Sequence, residues 1–183
     1  MKLVKIILFL LISFNTPLKA NSGDNVHSIL NEGGKLIFIR HAYAPGGGDP
    51  DNFDISNCAS QRNLNEEGIE QAKKIGKFFL EKNIIIDKIL SSEWCRCKQI
   101  ADYAFKNYET KSFLNSFFSQ KFADNKDKQI KELKEYIENW NGSKNLILVT
   151  HYVVISELLS ISASSGEIII SNKKYKTLLR IKN

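Results

Sequence analysis

The sequence of 183 residues holds only three cysteines, three histidines, three prolines and one methionine. Three cysteines are too few for a disulfide scaffold, so a packed core must hold the chain, and an odd count leaves one thiol over. Cys95 and Cys97 lack the Cys-x-x-Cys spacing of a thiol oxidoreductase. No other His or Cys stands near them to complete a metal set, so no metal is expected. The formal charge of +6 comes without any Lys/Arg block interleaved with aromatics. That excess is too modest to argue for nucleic acid and suits a protein that handles anions. Internal repeats and low-complexity tracts are absent, and no apolar run reaches the roughly 20 residues of a membrane span.

What apolar run there is lies at the start. "MKLVKIILFLLISFNTPLKA" carries Lys2 and Lys5, the apolar stretch Ile6 to Phe14, then Pro17 and Ala20. This is the layout of a secretory signal cleaved after Ala20, and the stretch is short for an uncleaved anchor. Residues 1–20 are therefore expected to be removed, leaving 21–183 as a single exported domain without a membrane span, periplasmic in location. Loss of Lys2, Lys5 and Lys19 takes the charge from +6 to +3. In an oxidising compartment Cys58 is expected to pair with Cys95 or with Cys97.

Hydrophobic patterning alternates between short strands and amphipathic helices. "KLIFIR" (35–40), "DKILSS" (87–92) and "NLILVTH" (145–151) read as buried strands by their continuous apolar character. Helices are expected over 64–82, starting near Asn65, and over 93–107 and 127–142, with another from Tyr152. A short strand is expected around Lys111 to Leu114, and "GEIIIS" with "YKTLLRI" as a closing hairpin. The pattern predicts an α/β three-layer sandwich with a mostly parallel central sheet flanked by helices.

Such sheets place ligands beyond the carboxyl ends of their strands. The first strand ends at Arg40 and His41, the third at His151, and Arg96 follows the second within its helix. Parallel neighbours would bring these four side chains to one pocket. Two arginines there can hold the oxygens of a phosphate monoester with charge-assisted hydrogen bonds, and a neutral imidazole can attack the phosphorus. The third histidine, His27, has no such company and is expected on the surface.

"IRHAYAP", "NLNEEGIEQA", "SSEWCRCKQIA" and "LVTHYVVISEL" together resemble, in order and spacing, the signature segments of the histidine phosphatase superfamily, the phosphoglycerate mutase-like group. Ala42 stands where many members have Gly, and Asn65 where Thr is common. The resemblance spans roughly residues 35 to 170. It implies a phosphoglycerate mutase-like fold, no cofactor, and His41 as a nucleophile that is transiently phosphorylated, with Arg40, Arg96 and His151 completing the phosphate pocket. It also implies a proton-donating acid after the second helix, yet "LNSFFSQKFADN" holds no Glu; Asp124 is the nearest acid there. Asp49, Asp54 and Glu167 lie in other loops that can reach the pocket. Arg62 is a further candidate for substrate binding, and Gly46 to Gly48 read as a pliable flap.

The expected activity is that of an exported, metal-independent phosphomonoesterase working through a phosphohistidine on His41. Its substrate would be a small phosphorylated molecule or the phosphorylated sugar of a glycolipid. A phosphoglycerate mutase-like phosphotransferase or a phosphohistidine-protein phosphatase shares the same pocket. A non-catalytic anion-binding protein with a degenerate site is the alternative of another class.

Overall fold

The computed structural model describes residues 22–182; the expected signal, residues 1–20, lies outside them. Six strands form one sheet: β1 (Leu36–Arg40), β2 (Ile86–Ser91), β3 (Glu109–Thr110), β4 (Asn145–Thr150), β5 (Ile168–Ser171) and β6 (Thr177–Ile181), in the order β3-β2-β4-β1-β5-β6. The pairs β1/β4, β2/β4 and β2/β3 are parallel, whereas β5 runs antiparallel to both β1 and β6. The mostly parallel sheet expected from the alternation is present, and the closing hairpin forms its antiparallel edge.

Among the described residues five α-helices cover the sheet: α1 (Ser22–Asn31), α2 (Glu66–Glu81), α3 (Cys95–Ala104), α4 (Lys126–Asn139) and α5 (Tyr152–Leu159). Side chains of a strand alternate between faces, so the central strands feed two cores. Leu36, Phe38, Leu146 and Leu148 pack with Leu133 and Ile137 of α4 and Val154 and Leu158 of α5. Ile37, Ile39, Ile147 and Val149 pack on the other face with Leu30 of α1, Ala72 and Ile75 of α2, and Cys97 and Ile100 of α3. The apolar runs in β1 and β4 have no polar alternation because both faces are covered.

The start of α2 follows its sequence: the Asn65 side chain accepts from the Gly68 N–H, and Glu66 and Glu67 occupy the first turn. Two expectations are corrected. Strand β3 lies at Glu109–Thr110, and Ser112–Leu114 turn into a 3₁₀ helix that buries Phe113 and Leu114. Helix α1 was not expected from its polar composition; Val26 and Leu30 alone are its buried hydrophobics, and they dock it on the α2 side of the sheet. His27 on this helix is exposed, as the sequence suggested, and hydrogen-bonds Asn31. No helix among the described residues is long and apolar enough to cross a membrane.

Candidate active site

Register in the sheet brings the two histidines together. Arg40 pairs with Thr150 across the parallel β1/β4 ladder, so the next residue on each strand, His41 and His151, leaves the sheet beside its counterpart. Their ring centroids lie 5.3 Å apart, with the His41 N–H donating to the Thr150 carbonyl at 2.9 Å. Strand β2 ends one strand further along; the Ser92 N–H donates to the Val149 carbonyl, and α3 then carries Arg96 in its first turn. Trp94 gives α3 no side-chain cap. That task falls to Gln61, whose Oε1 accepts the Cys95 N–H at 2.9 Å. Cys95 is also bridged to Cys58, leaving Cys97 as a buried free thiol. Of the two pairings open to Cys58, the chain makes the one that ties the 51–62 loop to the helix bearing Arg96.

The hydrogen bonds fix the state of both imidazoles. His41 Nδ1–H donates to its neighbour's carbonyl, Ala42 O, at 2.9 Å, which leaves Nε2 with its lone pair free for attack. On His151 the polarity is opposite. Asn115 Oδ1 accepts from the Glu93 N–H and from the Ser92 hydroxyl, while Asn115 Nδ2 donates to the Glu93 carboxylate. Ser92 has thus spent its proton, and its oxygen accepts from His151 Nε2–H at 3.0 Å. His151 Nδ1 is buried and has no hydrogen-bond partner among the described residues. Burial, and next to it the Arg96 charge, pushes both histidines well below the usual imidazole value, so both are neutral at pH 7.

A cavity of about 530 Å³ opens over these residues, lined also by Arg40, Arg62, Arg96 and Gly46 to Gly48. The four core residues named from the sequence, Arg40, His41, Arg96 and His151, all meet there. Arg40 donates to the Ala163 carbonyl at 2.7 Å and lies over the Tyr152 ring. Arg62 braces the glycine loop, donating to Ala44 O at 2.6 Å and Gly46 O at 3.0 Å. Burial depresses the pKa of Arg40 and Arg62, and the Arg96 charge beside them adds to it. The Nε atoms of Arg40, Arg62 and Arg96 are buried without hydrogen-bond partners among the described residues. A concentration of positive charge of this kind is what a bound dianion would relieve.

The candidate acids do not share one fate. Asp49 lines the cavity but is occupied: it binds Arg96 Nη1 at 2.7 Å and accepts from the Arg62 N–H and from Trp94 Nε1. Burial would raise its pKa, yet the bond to Arg96 and that guanidinium's charge outweigh burial and hold it low. Asp49 is therefore placed to orient Arg96, and ill placed to give a proton. Asp124 is exposed on the 3₁₀ segment Gln120–Asn125, outside the cavity lining. Glu167 is also outside it, paired with Arg180 at 2.7 Å and accepting from the Ser164 N–H. Asp54 caps Ser56 in the loop and lies outside the lining as well.

Sequence reading missed one wall of the cavity. Phe53 stacks on Trp94 at 4.9 Å, both meet Phe122 edge-on, and Phe118 packs against Tyr152 on the opposite side with 59% of its surface exposed. Phe53, Phe118 and Phe122 come from loops and a short 3₁₀ turn, where no periodicity marks a buried face. Asp51, also on the wall, was missed for the same reason. Among the described residues no group of three or more His, Cys, Asp or Glu is gathered to hold a metal ion.

No family model and no curated sequence matches the chain. Solved structures do. The protein histidine phosphatase SixA in complex with tungstate is 12% identical, with a TM-score of 0.58 over 80% of this chain and 96% of that one. Phosphoglycerate mutase from Thermus thermophilus is 12% identical, with a TM-score of 0.58 over 81% and 99%. A phosphoserine phosphatase variant from Entamoeba histolytica, bound to phosphoserine, is 17% identical, with a TM-score of 0.54 over 74% and 89%. By these likenesses the chain has a phosphoglycerate mutase-like fold.

Proposed function

We propose that this protein is a metal-independent phosphomonoesterase that works through a phosphohistidine on His41. The observation that carries the reading is the pairing of a buried imidazole, its Nδ1 proton committed to Ala42 O, with three arginines lining the same cavity. His41 Nε2 forms a bond to phosphorus as the ester P–O bond breaks and its electron pair departs with the leaving oxygen. Arg40, Arg62 and Arg96 offset the charge on the transferring phosphoryl group. Water then attacks the same phosphorus, the N–P bond breaks, and the pair returns to Nε2. Two of the solved structures described above are phosphatases by name, and one of them holds tungstate, an oxyanion of the same shape class as phosphate.

The cavity is of small-molecule size. The substrate we favour is a small phosphate monoester met outside the cytoplasm, such as a sugar phosphate, a nucleotide or the phosphorylated sugar of a glycolipid. Export is supported by the charged and apolar start of the chain and by the Cys58–Cys95 bridge, a bond that persists in oxidising compartments. The test is turnover of p-nitrophenyl phosphate by wild type and His41→Ala, with rapid alkaline quench after labelled substrate. Wild type should hydrolyse the ester and retain label on His41; equal turnover by the variant refutes the nucleophile.

A further inference from the structure

An alkoxide is a poor leaving group, so hydrolysis of an alkyl phosphate through His41 needs a proton for the departing oxygen. Among the described residues only two carboxylates line the cavity, Asp49 and Asp51. Asp49 is committed to Arg96, Arg62 and Trp94, and its proton affinity is held down by that company. Asp51 carries no hydrogen bond or ion pair among the described residues, and it is exposed where it lines the cavity.

Its position is nonetheless fixed from both sides. The Phe53 N–H donates to the Pro50 carbonyl at 3.0 Å, closing a turn with Asp51 at its first central position. On the N-terminal side Asp49 is clamped to the buried Arg96 guanidinium at 2.7 Å. On the C-terminal side Phe53 is stacked on Trp94. The turn is thus pinned at two points, and the residue between them presents a free carboxyl at the mouth of the cavity.

We propose that Asp51 is the general acid of this site, a role that rests on the phosphohistidine reading above. As the P–O bond breaks, the Asp51 carboxyl gives its proton to the leaving oxygen and becomes a carboxylate. In the second half, that carboxylate takes a proton from the attacking water, and the N–P bond returns its electron pair to His41. The sum is ester plus water to alcohol plus phosphate, with both side chains restored.

The experiment compares Asp51→Asn and Asp51→Glu with wild type on two esters, p-nitrophenyl phosphate and glycerol phosphate. Nitrophenolate departs without a proton; the glycerol alkoxide does not. Asp51→Asn should lose roughly 10²- to 10⁴-fold in kcat/KM on glycerol phosphate and about tenfold or less on the aryl ester. Asp51→Glu should recover part of the glycerol phosphate rate, which a merely structural loss would not explain. A loss of equal size on both esters makes Asp51 a binding or structural residue and overturns the proposal. So does an undiminished rate on glycerol phosphate, or a wild-type protein that cleaves the aryl ester alone. Failure of wild type on both esters, or survival of turnover in His41→Ala, strikes instead at the phosphohistidine reading, and the role of Asp51 falls with it.

Discussion

Replacing Cys58 and Cys95 together by serine removes a crosslink that closes a loop with a sequence separation of 37 residues. The chain-entropy relation for a loop of that size gives about 13 cal/mol/K, or about 4 kcal/mol at 25 °C, withdrawn from the folded state's advantage. Against a total stability of about 5–15 kcal/mol this is a large share. For a domain of this length it corresponds to a fall in Tm of about 8–16 °C. The urea m-value should rise too, because the unfolded chain without the crosslink exposes more surface. The assay is a thermal and urea melt of wild type and the double serine variant, with a thiol titration in denaturant beforehand. One thiol, that of Cys97, should react before reduction and all three after it. Function should suffer as well: with the bridge gone, the Gln61 bond to the Cys95 N–H is left to hold the 51–62 loop to the first residue of α3, and KM for the aryl phosphate should rise. A double variant that melts with a wild type shown to be bridged refutes the loop-entropy reasoning.

Other outcomes follow from the buried groups. The folded pKa values of His41 and His151 lie well below that of free imidazole, so the unfolded chain binds more protons as pH falls through about 6.5. Stability should be full above that pH and decline below it by up to about 1.4 kcal/mol per pH unit for each histidine, as read by urea melts. Phosphate binding near pH 7.5 should take up a proton, since bare His151 Nδ1 meets the dianion only once protonated; calorimetry in buffers of different ionisation enthalpy measures this, and His151→Gln should abolish it. Gly68→Ala should cost about 1–3 kcal/mol, because a methyl group there would collide with the Tyr43 carbonyl, and α2 would have to shift away from the loop beyond β1. Glu167→Gln should lower stability by about 1–3 kcal/mol while turnover of the aryl ester persists, since the carboxylate serves Arg180 and the Ser164 N–H.

The parts of this fold that could be read in advance are those governed by local rules. Runs such as LIFIR and NLILVT announce strands covered on both faces, and Asn65 followed by two glutamates announces the start of α2. Because sheet register then dictates where a strand's last residue emerges, Arg40, His41 and His151 were legible as neighbours. Arg96 was legible through its place in the first turn of α3. The acids were not. Asp49 and Asp51 differ by two positions in one irregular loop, and nothing in the sequence says that one meets a guanidinium and the other meets water. That difference is set by long-range contacts, Arg96 on one side and Trp94 on the other, to which hydrophobic periodicity is blind. The Ser92–Asn115–Glu93 chain that fixes the His151 tautomer was hidden likewise, since its members lie in a strand end and a 3₁₀ cap some twenty positions apart.

Cys97 sits two residues from one end of the bridge, near enough in sequence to compete for its sulfurs. Burial raises that thiol to about 12. On the order of one molecule in 10⁵ is then ionised at pH 7, and only the thiolate can attack a disulfide. The native pairing is therefore protected against internal exchange by the same core that packs Cys97 against β4, as long as the chain stays folded. Scrambling becomes accessible only on unfolding, which makes the correct closure of Cys58 onto Cys95 a matter settled during folding and afterwards kinetically sealed.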